Sequence, residues 1–100
     1  MRPNVNQIKK LQQQMAKIQA ELGNETVEAT VGGGVVTITM NGHQQVVGVK
    51  IAPDVIDPND PQMLEDLLTA AFNEATEKVQ ELISKRMGAV TGGLGLPGFM

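Results

Sequence analysis

The spacing of apolar residues near the start of the chain is that of a helix. Their positions advance by three, four, three and four residues, at Ile8, Leu11, Met15, Ile18 and Leu22. This spacing lines one narrow stripe of an α-helix, as the a and d positions of two heptads do. Pro3-Asn4 suits the beginning of a helix and Gly23-Asn24 suits its end. The pattern predicts a helix over Val5–Leu22 whose stripe lies against one partner surface, either a helix or a sheet.

The period of the pattern changes to two between residues 25 and 51. Three runs rich in β-branched residues alternate apolar with more polar side chains, at residues 26–31, 35–40 and 44–51. Gly32-Gly33-Gly34 separates the first two runs, and Asn41-Gly42, a strong hairpin signal, separates the last two. Each run has one face that is more apolar than the other. The pattern predicts an antiparallel three-stranded meander with one face covered.

A second helix is predicted after a connection that contains two prolines. Asp60-Pro61 suits the N-cap and the first position of a helix. An apolar stripe runs from Leu64 to Met87, and Gly88 suits the end of the helix. The last ten residues of the chain include four glycines and a proline, a composition that favours a flexible tail.

The second predicted helix is too long for the predicted sheet. A helix over residues 61–87 spans about 40 Å, whereas three strands are about 15 Å wide. A homodimer in which the long helices or the sheet edges meet would cover the rest of the apolar stripe. We expect an α+β fold of order α-β-β-β-α, with one domain over residues 1–90 and a flexible glycine-rich tail over residues 91–100.

The composition excludes several classes of protein. The 100 residues include no cysteine, one histidine and two aromatic residues. Disulfide scaffolds, zinc fingers, iron–sulfur clusters, thiol catalysis and multi-histidine metal sites are therefore excluded. No apolar run approaches the roughly 20 residues of a membrane span, and the polar N-terminus lacks the apolar core of a signal peptide. These features predict a soluble cytoplasmic protein without a cofactor.

The charge is divided unevenly along the chain, whose net charge is −3. Residues 1–22 carry four basic side chains and one carboxylate, whereas residues 23–100 carry four basic side chains and ten carboxylates. Lys10 and Lys17 lie one heptad apart, about 10 Å along the helix axis, with Lys9 beside them and glutamines around them. Such a face can contact phosphates, and an ordinary solvated lysine face has the same pattern.

Few residues could support catalysis. His43 could donate a proton or bind a metal, but no nucleophile lies nearby. A turn histidine that is solvated or hydrogen-bonds a neighbouring carbonyl fits its position better. Asp54, Asp57 and Asp60 lack the glycine and glutamate of a calcium loop and suit turns and helix caps. Gly32-Gly33-Gly34 lies between strands, so a hairpin loop fits better than a phosphate cradle. We expect no enzymatic activity and no small-molecule substrate.

Five segments of the sequence together resemble one protein family. They are the glutamine-rich first helix, GGGVVTITMNGH at 32–43, IAPDVIDP at 51–58, MLEDLLTAAFNEA at 63–75 and MGAVTGGLGLPGF at 87–99. Over essentially the whole chain, they are similar to the YbaB/EbfC family of bacterial nucleoid-associated proteins. The resemblance implies a tight homodimer whose helices project like the arms of tweezers. It also implies DNA binding in the cytoplasm, at the nucleoid, with an organising or regulatory role.

The resemblance further implies that the helical arms contact duplex DNA. By position and charge, the DNA-binding residues are then Arg2, Lys9, Lys10, Lys17, Lys85 and Arg86. The acidic remainder of the chain would repel DNA, so binding is expected to be salt-sensitive and weakly selective for sequence. The alternative is a dimeric scaffold or adaptor that binds another protein through exposed helix and tail surfaces.

Overall fold

A computed structural model describes residues 5–92 of the chain. Its elements are two α-helices, three strands and one short 3₁₀ turn, in the order α1 (Val5–Leu22), β1 (Thr26–Val31), β2 (Val36–Asn41), β3 (Val46–Ile51), the turn Pro53–Val55 and α2 (Pro61–Gly92). The predicted order α-β-β-β-α is confirmed, and the bounds of α1 and β1 are those that the apolar spacing predicted. Helix α2 includes residues 91 and 92 of the tail that was predicted over residues 91–100, and residues 93–100 lie outside the described residues.

The three strands form one antiparallel sheet with the order β1-β2-β3. Ala29, Ile38 and Val49 are neighbours across the three strands, so their side chains share one face of the sheet. A bulge interrupts the pairing of β2 with β3, because Thr39 pairs with Gly48 while the next residue pairs with Val46. The meander that the period of two predicted is therefore present, with one irregular edge strand.

The core lies between this face of the sheet and α2. Its buried side chains come from β1, β2, the 3₁₀ turn and α2, namely Ala29, Val36, Ile38, Met40, Val55, Ala71, Ala75 and Val79. The helix presents alanine at two of its three central positions. Small side chains there let the helix axis approach the strands closely. Helix α2 packs against β1 and β2. Because it lies over these two strands, β3 is only partly covered.

Helix α2 continues through Gly88 to Gly92, so the predicted end of the helix at Gly88 is wrong. Gly88 is not among the residues with a positive φ, and it adopts the helical conformation of its neighbours. A glycine inside a helix costs only about 1 kcal/mol relative to alanine. The surrounding helix formers outweigh that cost, and α2 reaches a length of about 48 Å.

Gly88→Ala is expected to stabilise the protein by about 0.5–1 kcal/mol, because alanine reduces the entropy lost on forming the helix. A Cβ at this position would meet no heavy atom within 4 Å. Gly33→Ala is the matched control, since it also has open space but a φ of +73°, so it is expected to destabilise. Thermal or denaturant unfolding measures both. A destabilising Gly88→Ala would contradict a continuous helix at this position.

Candidate nucleic-acid interface

Helix α1 projects from the rest of the molecule. Leu22, in its last turn, is its one buried residue. Its predicted apolar stripe is only partly covered, because Ile8 and Met15 are 44% and 41% exposed. The overall dimensions of 66 × 25 × 16 Å reflect this extended arrangement of the helices. Leu11 and Ile18 on the same stripe are half-buried, and α1 contacts α2. The helix is therefore buried most fully at its end, and most of its surface is accessible.

Lys9, Lys10 and Lys17 lie on the exposed surface of α1. At 100° per residue, all three point away from the stripe that contains Ile8 and Leu22. None of the ion pairs between described residues involves them. These ammonium groups are therefore accessible to an anionic partner.

The two basic residues near the end of α2 differ from each other. Lys85 is exposed and belongs to none of the ion pairs between described residues. Arg86 is half-buried and donates from Nη1 to Glu25 Oε1 at 3.3 Å and from Nη2 to Glu21 Oε2. A phosphate that bound Arg86 would compete with two carboxylates already in place. Arg2, the remaining residue of the predicted set, lies outside the described residues.

The turn between β2 and β3 contacts the last turn of α1. His43 Nε2 lies 2.6 Å from the main-chain oxygen of Gln19. Because a carbonyl oxygen only accepts, Nε2 carries the proton of this bond. The Gly42 N–H donates to the main-chain oxygen of Leu22 at 2.8 Å and to that of Glu25 at 3.0 Å. The sequence indicated a hydrogen-bonded turn histidine, but not that its acceptor would come from α1.

The other motifs singled out in the sequence have structural roles. Asp60 Oδ1 accepts from the Met63 N–H at 3.3 Å and caps α2, while Asp57 Oδ1 accepts from the Asn59 N–H at 2.9 Å. The described residues contain no group of three side chains that could hold a metal ion. The three glycines at 32–34 all have positive φ and form the β1–β2 turn, which confirms the hairpin interpretation.

A second surface is apolar and uncovered. Val49 shares the core face of the sheet with Ile38, yet Val49 is 48% exposed whereas Ile38 is fully buried. Phe72 on α2 is 37% exposed. Phe72 lies about 120° around the helix axis from Lys78, whose ammonium donates to a carbonyl of β1. Phe72 is therefore on the flank of α2 that is turned away from β1, on the side where β3 lies.

This apolar surface continues into a groove at the beginning of α2. The groove has a volume of about 340 Å³ and is lined by Ile56, Pro58, Pro61, Leu64 and Leu68 among others. Ile56 at its rim is 56% exposed. We call the uncovered side of β3, the β3-facing flank of α2 and this groove the apolar flank.

Neither described helix has a stretch that is both long and apolar enough to span a bilayer.

Comparisons with known proteins agree with one another. The sequence matches the model of the YbaB/EbfC DNA-binding family over residues 1–94. A nucleoid-associated protein of Pelotomaculum thermopropionicum is 48% identical over 94 residues, which cover 94% of this chain and 90% of that protein. One of Moorella thermoacetica is 51% identical over 86 residues, which cover 86% and 83%. The crystal structure of the uncharacterized protein HP0035 from Helicobacter pylori has a similar fold, with a TM-score of 0.66 at 18% identity over 78% of this chain and 90% of that one.

Proposed function

Because the chain belongs to the YbaB/EbfC DNA-binding family, we propose that it is a nucleoid-associated homodimer that clasps duplex DNA between its two copies of α1. Its role would be to organise the nucleoid or regulate genes, and the lysines of α1 would contact phosphates. Relatives that are about half identical in sequence are named nucleoid-associated proteins. Their names support the same role for this chain.

The observation that carries this proposal is the set of three unpaired lysines on a projecting helix. Lys9, Lys10 and Lys17 are exposed, and carboxylates elsewhere in the described residues do not neutralise them. Lys85 extends the set only if the end of α2 also reaches the duplex. Lysine is a flexible point charge that suits phosphate rather than a base edge. Binding through these lysines would therefore depend little on the base sequence of the DNA.

The apolar flank supports assembly with a second copy of the chain. Both the β3 edge and the flank of α2 expose apolar side chains, such as Val49 and Phe72. Several exposed apolar side chains on one side of a subunit favour an interface there. A two-fold axis would bring the same surface of each subunit together and would present two copies of α1.

Salt dependence tests the DNA-binding proposal directly. If roughly four to six phosphates are contacted, the slope of log affinity against log salt should be about −4 to −5 on duplex DNA. Fluorescence anisotropy titrations at several salt concentrations, on random and defined duplexes of equal length, would measure it. Equal slopes and nearly equal affinities on all duplexes are expected, because phosphate contacts carry no direct sequence information.

The alternative function is that of a dimeric adaptor for another protein. The exposed part of the apolar stripe of α1, at Ile8 and Met15, is the observation that favours it. Apolar contacts of this kind would bind a partner helix and would depend weakly on salt. A slope near zero on DNA would therefore contradict the proposed function and favour the adaptor.

A further inference from the structure

Hydrogen bonds join the last turn of α1 to two other elements, in addition to the half-buried apolar positions Leu11 and Ile18 of a helix that contacts α2. The last four carbonyls of a helix have no partner within it. Here the carbonyl of Gln19 accepts from His43 and that of Leu22 accepts from Gly42. The β2–β3 turn therefore caps α1 from outside the helix. We call Asn41, Gly42 and His43 the socket.

Two glycines let the socket and the helix end meet. A Cβ on Gly42 would lie 2.5 Å from the carbonyl oxygen of Leu22, and one on Gly23 would lie 2.8 Å from the His43 ring. Neither glycine has a positive φ. The close approach of the helix end and the socket, rather than backbone conformation, is therefore what favours glycine at both positions.

The socket is held rigid by its own side chains. Asn41 is 5% exposed, and its Oδ1 accepts from the main-chain N–H groups of His43 and Gln45 at 2.9 and 3.0 Å. Its Nδ2 donates to Gln45 Oε1 at 3.0 Å. Every polar atom of the Asn41 side chain is thus used within the turn. None of these bonds uses a donor or an acceptor of α1.

A second attachment comes from α2. The guanidinium of Arg86 bonds to Glu21, in the last turn of α1, and to Glu25 just beyond it. The socket and Arg86 therefore hold the end of α1 from two separate elements. One attachment would leave a helix free to swing about it, whereas two fix its direction.

We propose that Gly42, His43 and Arg86 are positioning residues that set the direction in which α1 projects, and so set how its lysines meet DNA. This inference rests on the proposed function. Arg86 then acts through Glu21 and Glu25 rather than by contacting phosphate. A preorganised arm binds more tightly than one that has to be ordered on binding.

The test measures the direction of α1 in the absence of DNA and, separately, the affinity of the protein for duplex DNA. The chain has no cysteine, so Gln12→Cys on α1 and Gln80→Cys on α2 place two spin labels on exposed positions. Refolding with excess unlabelled protein restricts the measured distance to one subunit. Double electron–electron resonance then gives the distribution of distances between α1 and α2.

Two pairs of variants separate positioning from charge and from general disruption. His43→Ala removes the donor to Gln19, whereas His43→Gln keeps an N–H donor at a similar reach. Arg86→Gln removes the attachment to α2, whereas Lys85→Gln removes the same charge from the neighbouring exposed residue. Thermal unfolding shows whether each variant keeps the folded sheet.

His43→Ala and Arg86→Gln are expected to broaden the distance distribution and to weaken DNA binding about three- to tenfold, with an unchanged salt slope. His43→Gln and Lys85→Gln should leave the distances unchanged. Unchanged distances in both His43→Ala and Arg86→Gln would overturn the inference, whether or not the parent binds DNA. Broadened distances with unaltered affinity would also overturn it. Absence of DNA binding by the parent, with broadened distances, would instead refute the proposed function.

Discussion

Replacing Lys9, Lys10 and Lys17 together by glutamine is expected to weaken binding to duplex DNA by about 100-fold in about 0.1 M salt. At that concentration each phosphate contact contributes roughly a factor of ten through counterion release, and the variant removes at least two contacts from a dimer. The slope of log affinity against log salt should become flatter. Glutamine preserves side-chain length and helix propensity, so the melting temperature should change little.

Lys50→Gln provides the control for this experiment. Lys50 is also exposed, but it lies on β3 rather than on α1. Its replacement should change DNA affinity by less than about twofold, which is the size of a distant screened charge. If the triple variant bound DNA as tightly as the parent, α1 would not be the DNA-binding element. Lys85 on α2 would then be the next residue to test.

Phe72→Glu is expected to weaken the proposed homodimer by about 100-fold or more. It would place an unpaired charge on the apolar flank, and such a charge costs several kcal/mol when it is buried in an interface. Two-fold symmetry applies the change twice. Sedimentation or light scattering over a range of micromolar concentrations should show a dimer for the parent and a monomer for the variant.

Asn73→Glu is the matched control, because it adds the same charge at the next, exposed residue, outside the apolar flank. It should leave the dimer unchanged. A parent protein that sediments as a stable, folded monomer at these concentrations would contradict the dimer. Equal behaviour of the two variants would show that the partner surface lies elsewhere. In a monomer, the three lysines of a single α1 could not close around a duplex.

Local pattern was sufficient for most of the fold. The three-and-four spacing of Ile8 to Leu22 predicted α1, because one narrow stripe is enough to define a helix. Alternation with β-branched residues predicted β1 at Thr26–Val31. The prediction failed at the end of α2, because a glycine inside a helix costs too little to end it. Asn41-Gly42 predicted the hairpin between β2 and β3 correctly, and the left-handed residue of that turn is Gln44, with a φ of 62°.

At the candidate interface, the contacts of Arg86 with residues distant in the sequence could not be predicted from local pattern. Charge and position placed Arg86 among the DNA contacts, and nothing local showed that Glu21 and Glu25 lie against it. These residues are 65 and 61 positions away in the chain. The accessible lysines of α1 were predicted correctly as exposed, because helical spacing alone separates them from the apolar stripe. Ion pairs between helices depend on how the helices pack. The spacing of apolar residues carries no information about that packing.

Because the hydrogen bonds of α1 to other elements lie near its last turn, a small change of angle there moves its first turn a long way. The helix is about 27 Å long, so a tilt of about 20° at its base displaces its first turn by roughly 9 Å. That displacement exceeds the difference between the roughly 12 Å major groove and the roughly 6 Å minor groove of DNA. In the proposed homodimer, an error of that size at the base of α1 would change the gap between the two helices by the scale of a groove. The two attachments at the base therefore fix the width of duplex that the gap admits.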